Sequence, residues 1–441
     1  MIQLIFVALL LVIFINLIIS DMDYFNPGVI FNTMFALYAF MCCIVDSITG
    51  LEINNPMTFV VIVGGGVFFT IINWLSSQVI RGKSYDEGTQ IINLNKAWII
   101  AFLVIELVVI LAMYKYVNDF AGVYGVDGSF SEKLSFYDTI TKFNSDYKLR
   151  MPSYVSVGNL LGRVLCYIAL YVLINNFVEK KYIQYSLIAI IAIYFIGSLM
   201  GGRTEALRIV TAAVALWYIM FKRKHGWRKA DLKIIFRLFA SAVGVVVLFS
   251  WMRSFLGRTT YDPIKVVFGY IGAPLKNLDT FLTFPTKSID GVWGAMTFTK
   301  FINWLGMKLD IPEWIYVSDQ PFLYYKTFRM GNVYTMYYNF IYDFGYIGCA
   351  LLTSIIAFYY CFTYRKIKNM KSDKSKINFK VIMYAYLFND LIMLPFSSRF
   401  YETIVNINYF RIFIIFTALI FVINNLRISG MKVYFVRKRG Y

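Results

Sequence analysis

The residues able to do chemistry are few, and they sit where apolar runs end. The segment from Met252 to Asn332 holds Arg253, Arg258, Lys276 and Arg329 among Trp293, Trp304, Trp314 and many Tyr and Phe. A guanidinium is always charged and can grip two phosphate oxygens at once, and aromatic faces suit the CH faces of sugar rings. The mixture fits an anionic, sugar-bearing ligand. A second run, Gly201-Gly202-Arg203-Thr204-Glu205, places an arginine after two glycines, where the backbone can turn tightly and bring a ligand close. The bland counterparts are snorkelling of Arg203 to lipid headgroups, an interfacial basic girdle at Arg253 and Arg258, and headgroup-level anchoring of the aromatic residues.

Three acids could take a proton from a sugar hydroxyl: Glu205, Asp343 in Tyr342-Asp343-Phe344-Gly345, and Glu402. A general base must lie within hydrogen-bond reach of that proton, and spacing alone leaves open which of the three does. The competing reading for each is a salt bridge to a neighbouring arginine; Arg208, Asp390 and Arg399 also lie near the outer ends of their spans. Glu106 and Arg163 fall at similar mid-membrane depths on separate spans and are expected to pair, which makes both affordable. The Gly64-Gly65-Gly66 run is expected to permit close helix packing. The five cysteines all lie in apolar runs without metal-ligand spacing, and the one histidine, His225, lies in a basic loop. A histidine metal cluster and a histidine-based nucleophile triad are thereby excluded, and no cofactor is expected.

The elements that must position these groups are membrane helices. The chain is 59% hydrophobic and 15% charged, against roughly a quarter charged in soluble domains. Its long runs are apolar all round, not striped. Eleven spans are predicted, near 2–19, 28–46, 57–79, 97–114, 154–177, 183–200, 204–221, 234–251, 338–362, 379–396 and 404–424, each long enough for a bilayer. The fold class is therefore an all-α polytopic membrane protein, one integral domain over residues 1–441. The first run, from Ile2 to Ile19, lacks a basic leader region and a cleavage site and reads as a retained span.

The net charge of +18 sits mostly in short loops, as the positive-inside rule expects, which argues against nucleic acid as a partner. The basic loops 222–233 and 365–380 and the C-terminal tail go to the cytoplasm. Alternation then places 115–153, 252–337 and 397–403 outside. It also puts the acidic 20–27 loop inside, the weakest step of the topology. Residues 252–337 form a large extracytoplasmic loop. Ile264–Phe268 and Leu275–Leu282 mix apolar and charged positions at helical spacing, so short interfacial helices are expected there. No internal repeat is visible, which weighs against the two-fold plan of many transporters.

Several stretches resemble the bacterial oligosaccharide repeat-unit polymerases, the Wzy-type O-antigen polymerases. They are Asn26-Pro27-Gly28 at the second span, Gly202-Arg203-Thr204-Glu205, Tyr270-Ile271-Gly272-Ala273-Pro274-Leu275 with Leu278-Asp279, and Asn332-Val333-Tyr334-Thr335 followed by Asp343-Phe344-Gly345. The resemblance implies a metal-independent glycosyltransferase with a GT-C-like architecture in the bacterial inner membrane, its active site facing the periplasm or cell exterior. It implies transfer of a growing O-antigen or capsule glycan from undecaprenyl diphosphate to a new lipid-linked repeat unit, with a chain-length regulator as a possible partner. Carried over, Arg203, Arg253, Arg258 and Arg329 would bind diphosphate. The rival readings are a flippase or transporter of lipid-linked oligosaccharide, and a glycosyltransferase fed by a polyprenyl-phosphate sugar, for which Asp21-Met22-Asp23 would be the acidic motif.

Overall fold

The computed structural model describes residues 1–82, 90–143, 151–200, 203–227, 271–285, 292–315, 320–325, 328–370, 375–429 and 432–435. Helices dominate them: α1 Ile2–Ile19, α2 Pro27–Thr49, α3 Pro56–Val79, α4 Lys96–Val123, α5 Phe130–Phe143, α6 Ser153–Lys180, α7 Tyr185–Leu199, α8 Arg203–His225, α9 Ala273–Thr283, α10 Thr299–Leu309, α11 Met336–Lys368, α12 Phe379–Ile392, α13 Arg399–Ile404 and α14 Ile407–Asn425. Two short antiparallel hairpins complete the inventory: β1 Leu323–Tyr325 with β2 Phe328–Gly331, and β3 Leu426–Ser429 with β4 Lys432–Phe435. Among the described residues, eight helices are long and apolar enough to cross a membrane: α1–α4, α6, α8, α11 and α14. The shorter α7 and α12 pack among them, and the predicted span at 234–251 lies outside the described residues, as does Ile264–Phe268. The chain is thus a multi-pass, mainly α-helical membrane protein.

Local chemistry sets the helix starts. Asn26 accepts from the Gly28 N–H at 2.9 Å and Asn55 from the Met57 N–H at 2.9 Å, each with proline as the first helical residue. The asparagine satisfies an orphan donor, and the proline has no N–H to leave unsatisfied. Asn95, Asn378 and Asn406 cap α4, α12 and α14 in the same way.

Contacts sort the connections to two ends. At the basic end, the 20–26 turn meets the close of α8 and α11: Asp23 accepts from Tyr218 at 2.7 Å and Tyr364 at 2.9 Å and pairs with Lys368 at 3.4 Å. This explains an acidic loop on the lysine-rich side, since its buried carboxylate is answered by an ammonium and two phenols. Ile80, Ile92 and Val178 also gather there through Arg365, Asn176 and Lys224. At the far end, the 50–55 turn joins α9 and the first hairpin: the Asn55 N–H donates to Asp279 at 3.0 Å, and the Tyr325 hydroxyl donates to the Gly50 carbonyl.

The core between them is rich in buried tyrosines, including Tyr167, Tyr171, Tyr218, Tyr337, Tyr360, Tyr364, Tyr384 and Tyr386. Helix α12 is buried from Val381 to Leu391 without a break, which is why its sequence shows no stripe. Helices α3 and α11 close on each other at Gly65, where a Cβ would fall 1.8 Å from the Tyr337 hydroxyl oxygen. The expected close packing is therefore present at that glycine. Helix α11 is broken at Gly345, whose φ of 65° and ψ of −168° no ordinary residue adopts readily.

Candidate polar site at the far end of the bundle

The site begins with a difference in helix length. At about 1.5 Å per residue, the 15 residues of α7 and the 14 of α12 cover only about 22 and 21 Å, short of the roughly 30 Å of a hydrocarbon core. Helix α6, with 28 residues, stands well above them. Glu205, in the first turn of α8, meets Arg163, ten residues into α6, about 15 Å below its tip. The charged cluster therefore lies at the level where the shorter helices stop.

Arg208 and Asp390 form its centre. The guanidinium donates to both carboxylate oxygens, at 2.8 and 2.9 Å, with 7% and 0% of the two side chains exposed. It also donates to Thr403 Oγ1 at 3.2 Å and lies 4.9 Å from the centre of the Tyr386 ring. A carboxylate in the last turn of a helix opposes the helix dipole, so Asp390 depends on this partner. Arg163 Nε stands 3.1 Å from Glu205 Oε1 and donates to Tyr194 at 3.1 Å. Arg208 Nε lies 3.7 Å from the other Glu205 oxygen. The expected Glu106–Arg163 pair is not formed. Arg163 takes Glu205 instead, because α8 enters at its level, and Glu106 is buried with Oε1 unpartnered among the described residues.

Around this centre lies a stretch of unsatisfied donors. Asn389 Nδ2, Ser397 Oγ, Ser398 Oγ and Arg399 Nε are buried without a hydrogen-bond partner among the described residues. Buried polar atoms are nearly always paired, so one orphan on α12 and three in the turn that follows it need a reason. Lys300, at the start of α10, lies within electrostatic reach of Glu402, Arg399, Arg208 and Asp390. Its side chain is exposed at the start of α10. Burial pushes its ammonium below the ordinary lysine range, against the pull of Glu402.

The predicted site residues divide clearly. Glu205 is held between Arg163 and Arg208. Glu402 pairs with Arg399 one turn away at 3.1 Å, with a quarter of each side chain exposed. Asp343 accepts from the backbone N–H groups of Thr297 at 2.6 Å and Met296 at 3.3 Å. It fastens the turn that leads into α10. The backbones of Arg203 and Arg329 open α8 and lie in β2, with their side chains outside the described residues, as are Arg253 and Arg258 entirely. Lys276 is bound to Asp279 at 3.3 Å and to the Glu52 carbonyl, and it ties loops together. Lys300, Asn389, Ser397 and Ser398 were not singled out from sequence. A lysine in a polar loop and serines in a turn carry no local signal, though Ser397-Ser398-Arg399 beside a buried acid is a pattern that a search for clustered donors could have found.

Fold and site together define a polytopic α-helical membrane protein with a buried charged cluster at Arg163, Glu205, Arg208 and Asp390 and unsatisfied donors beside it. No protein-family model, curated protein or solved structure matches the chain.

Proposed function

We propose that the chain is a membrane glycosyltransferase of the GT-C class, with eleven spans, that polymerises lipid-diphosphate-linked oligosaccharide repeat units on the outer face of a bacterial inner membrane. The observation that carries this reading is the cluster of orphan donors at Asn389, Ser397, Ser398 and Arg399 beside Lys300 and Arg208. Hydroxyl, amide, ammonium and guanidinium donors around one cleft suit an oxygen-rich anion. The lysine-rich loops at the opposite end support an outward-facing position for this cluster, by the positive-inside rule.

In the proposed reaction the non-reducing-end hydroxyl of the acceptor unit attacks the anomeric carbon of the donor glycan. A glycosidic C–O bond forms, the bond from that carbon to the diphosphate oxygen breaks, and the hydroxyl proton passes to a carboxylate. The leaving polyprenyl diphosphate takes the electron pair. Its developing charge is met by Lys300, Arg399 and Arg208, which are in place before the reaction begins. Among the three acids, Glu402 is the best candidate base. Asp343 is occupied by two backbone donors and Glu205 by two arginines, whereas Glu402 shares one arginine and keeps about a quarter of its side chain exposed.

The test is reconstitution of purified protein with a polyprenyl-diphosphate-linked repeat unit from its host and no other enzyme. A ladder spaced by one repeat is expected. Unchanged substrate from folded protein, with that substrate crossing proteoliposomes, overturns polymerisation and leaves transport.

A further inference from the structure

Against the α4 side of the charged cluster, a cavity of about 110 Å³ is walled by α6, α7 and the start of α8. Glu106 faces it with 1% of its surface exposed and with Oε1 unpartnered among the described residues. Asn159, Arg163 and Glu205 line the same space, and about a quarter of the Arg163 side chain is open. A bare carboxyl in mid-bilayer is costly, and a leucine would satisfy α4 at no such cost. Acceptors at Glu106 and Glu205 alternate with donors at Arg163 and Asn159, the complement of a polyol or acetamido sugar. Beside the cavity, on the bilayer-facing side of α4 and α6, runs an apolar groove of about 300 Å³ lined by Val104, Val108, Ala112, Val155 and Leu161. Val109 belongs to both spaces and rests on Gly158, where a Cβ would stand 3.2 Å from it. The wall between groove and cavity is one valine thick.

Resting on the reading of the chain as a lipid-linked glycan enzyme, we propose that this cavity binds the lipid-proximal sugar of such a substrate. The substrate enters sideways from the bilayer, with its hydrocarbon chain in the α4–α6 groove. Glu106 accepts a hydrogen bond from a sugar hydroxyl or amide, and Arg163 faces the linking phosphate. Glu106 is thereby a substrate-binding residue, separate from the cleft near Lys300.

The experiment measures binding without turnover, as the thermal shift of the full-length protein in detergent. The probes are a polyprenyl diphosphate carrying one N-acetylhexosamine, the same lipid diphosphate without sugar, and free N-acetylhexosamine. The wild type is expected to bind the sugar-bearing lipid more tightly than the bare lipid, and the free sugar not measurably. Glu106→Leu, no less stable than the wild type, is expected to lose up to about tenfold for the sugar-bearing lipid only, the scale of one hydrogen bond to a neutral group. Should Leu prevent folding, Glu106→Met makes the same comparison. Equal binding by the variant, or no preference for the sugar in the wild type, overturns the site. Binding as expected without any polymer in reconstitution sinks the polymerase reading and leaves this site standing. Polymer formed equally well by Glu106→Leu does the reverse.

Discussion

Arg208 and Asp390 join positions far apart in the chain, and breaking that link tests the site most directly. The two bonds, at 2.8 and 2.9 Å, are short and charge-assisted, of the kind contributing about 1.5–3 kcal/mol each. Withdrawing both ions from water costs several kcal/mol apiece, so the intact pair is near neutral against a well-packed apolar pair. Removing one partner leaves the other buried and uncompensated. Asp390→Leu and Arg208→Met alone are therefore each expected to lose about 3–5 kcal/mol. The double variant Arg208→Met/Asp390→Leu is expected within about 1 kcal/mol of wild type, because both costs vanish together. The coupling energy is then about 5 kcal/mol or more. The assay is unfolding by SDS titration in mixed micelles, followed by tryptophan fluorescence. Single variants within about 1 kcal/mol of wild type, with an additive double, would refute the burial argument. On the proposed function, the stable double variant is also expected to make no polymer.

Three further outcomes follow from other features. Anion binding in the cleft should fall as pH rises through the depressed Lys300 pKa, since only the protonated amine attracts diphosphate; Lys300→Arg should flatten that limb in titrations of polyprenyl diphosphate binding, because a guanidinium stays charged. Asp23→Ala should cost about 3–5 kcal/mol in the same SDS assay, because it strips the buried Lys368 of its counter-ion and two tyrosines of their acceptor; an unchanged midpoint would show that the basic end does not rely on this contact. Gly65→Ala should destabilise by about 1–3 kcal/mol by driving into Tyr337, whereas Gly64→Ala, with nothing within 4 Å, should gain about 0.5–1 kcal/mol; equal effects would contradict the packing of α3 on α11.

Much of the fold was legible because hydrophobic length is a local signal. Asn-Pro at 26–27 and Asn55-Pro56 mark helix starts by chemistry confined to a few residues, and the run at 275–282 reads as a helix from its own spacing. Pairing was not legible. Depth along a helix can be counted, but azimuth cannot, so Glu106 and Arg163 look like partners although Arg163 turns to Glu205 on a third helix. The Arg208–Asp390 bond spans 182 positions, and no local pattern encodes it. Arg208 and Asp390 were each visible as costly charges at membrane depth. The role of Asp343 was obscured for a similar reason: its partners are backbone N–H groups at 296 and 297, which every sequence offers equally. The hairpin at 323–331 left no alternation long enough to read as paired strands.

The break at Gly345 divides the labour of α11. The 23 residues from Tyr346 to Lys368 reach about 34 Å and cross a bilayer unaided. The nine before the break, which carry Asp343 and its hold on the turn into α10, are not needed for crossing. A membrane that thins or thickens can tilt the long piece about Gly345 while the short one stays seated on the cleft. On the proposed function, turnover measured across vesicles of different acyl-chain length is expected to vary little, and Gly345→Ala is expected to make it thickness-dependent.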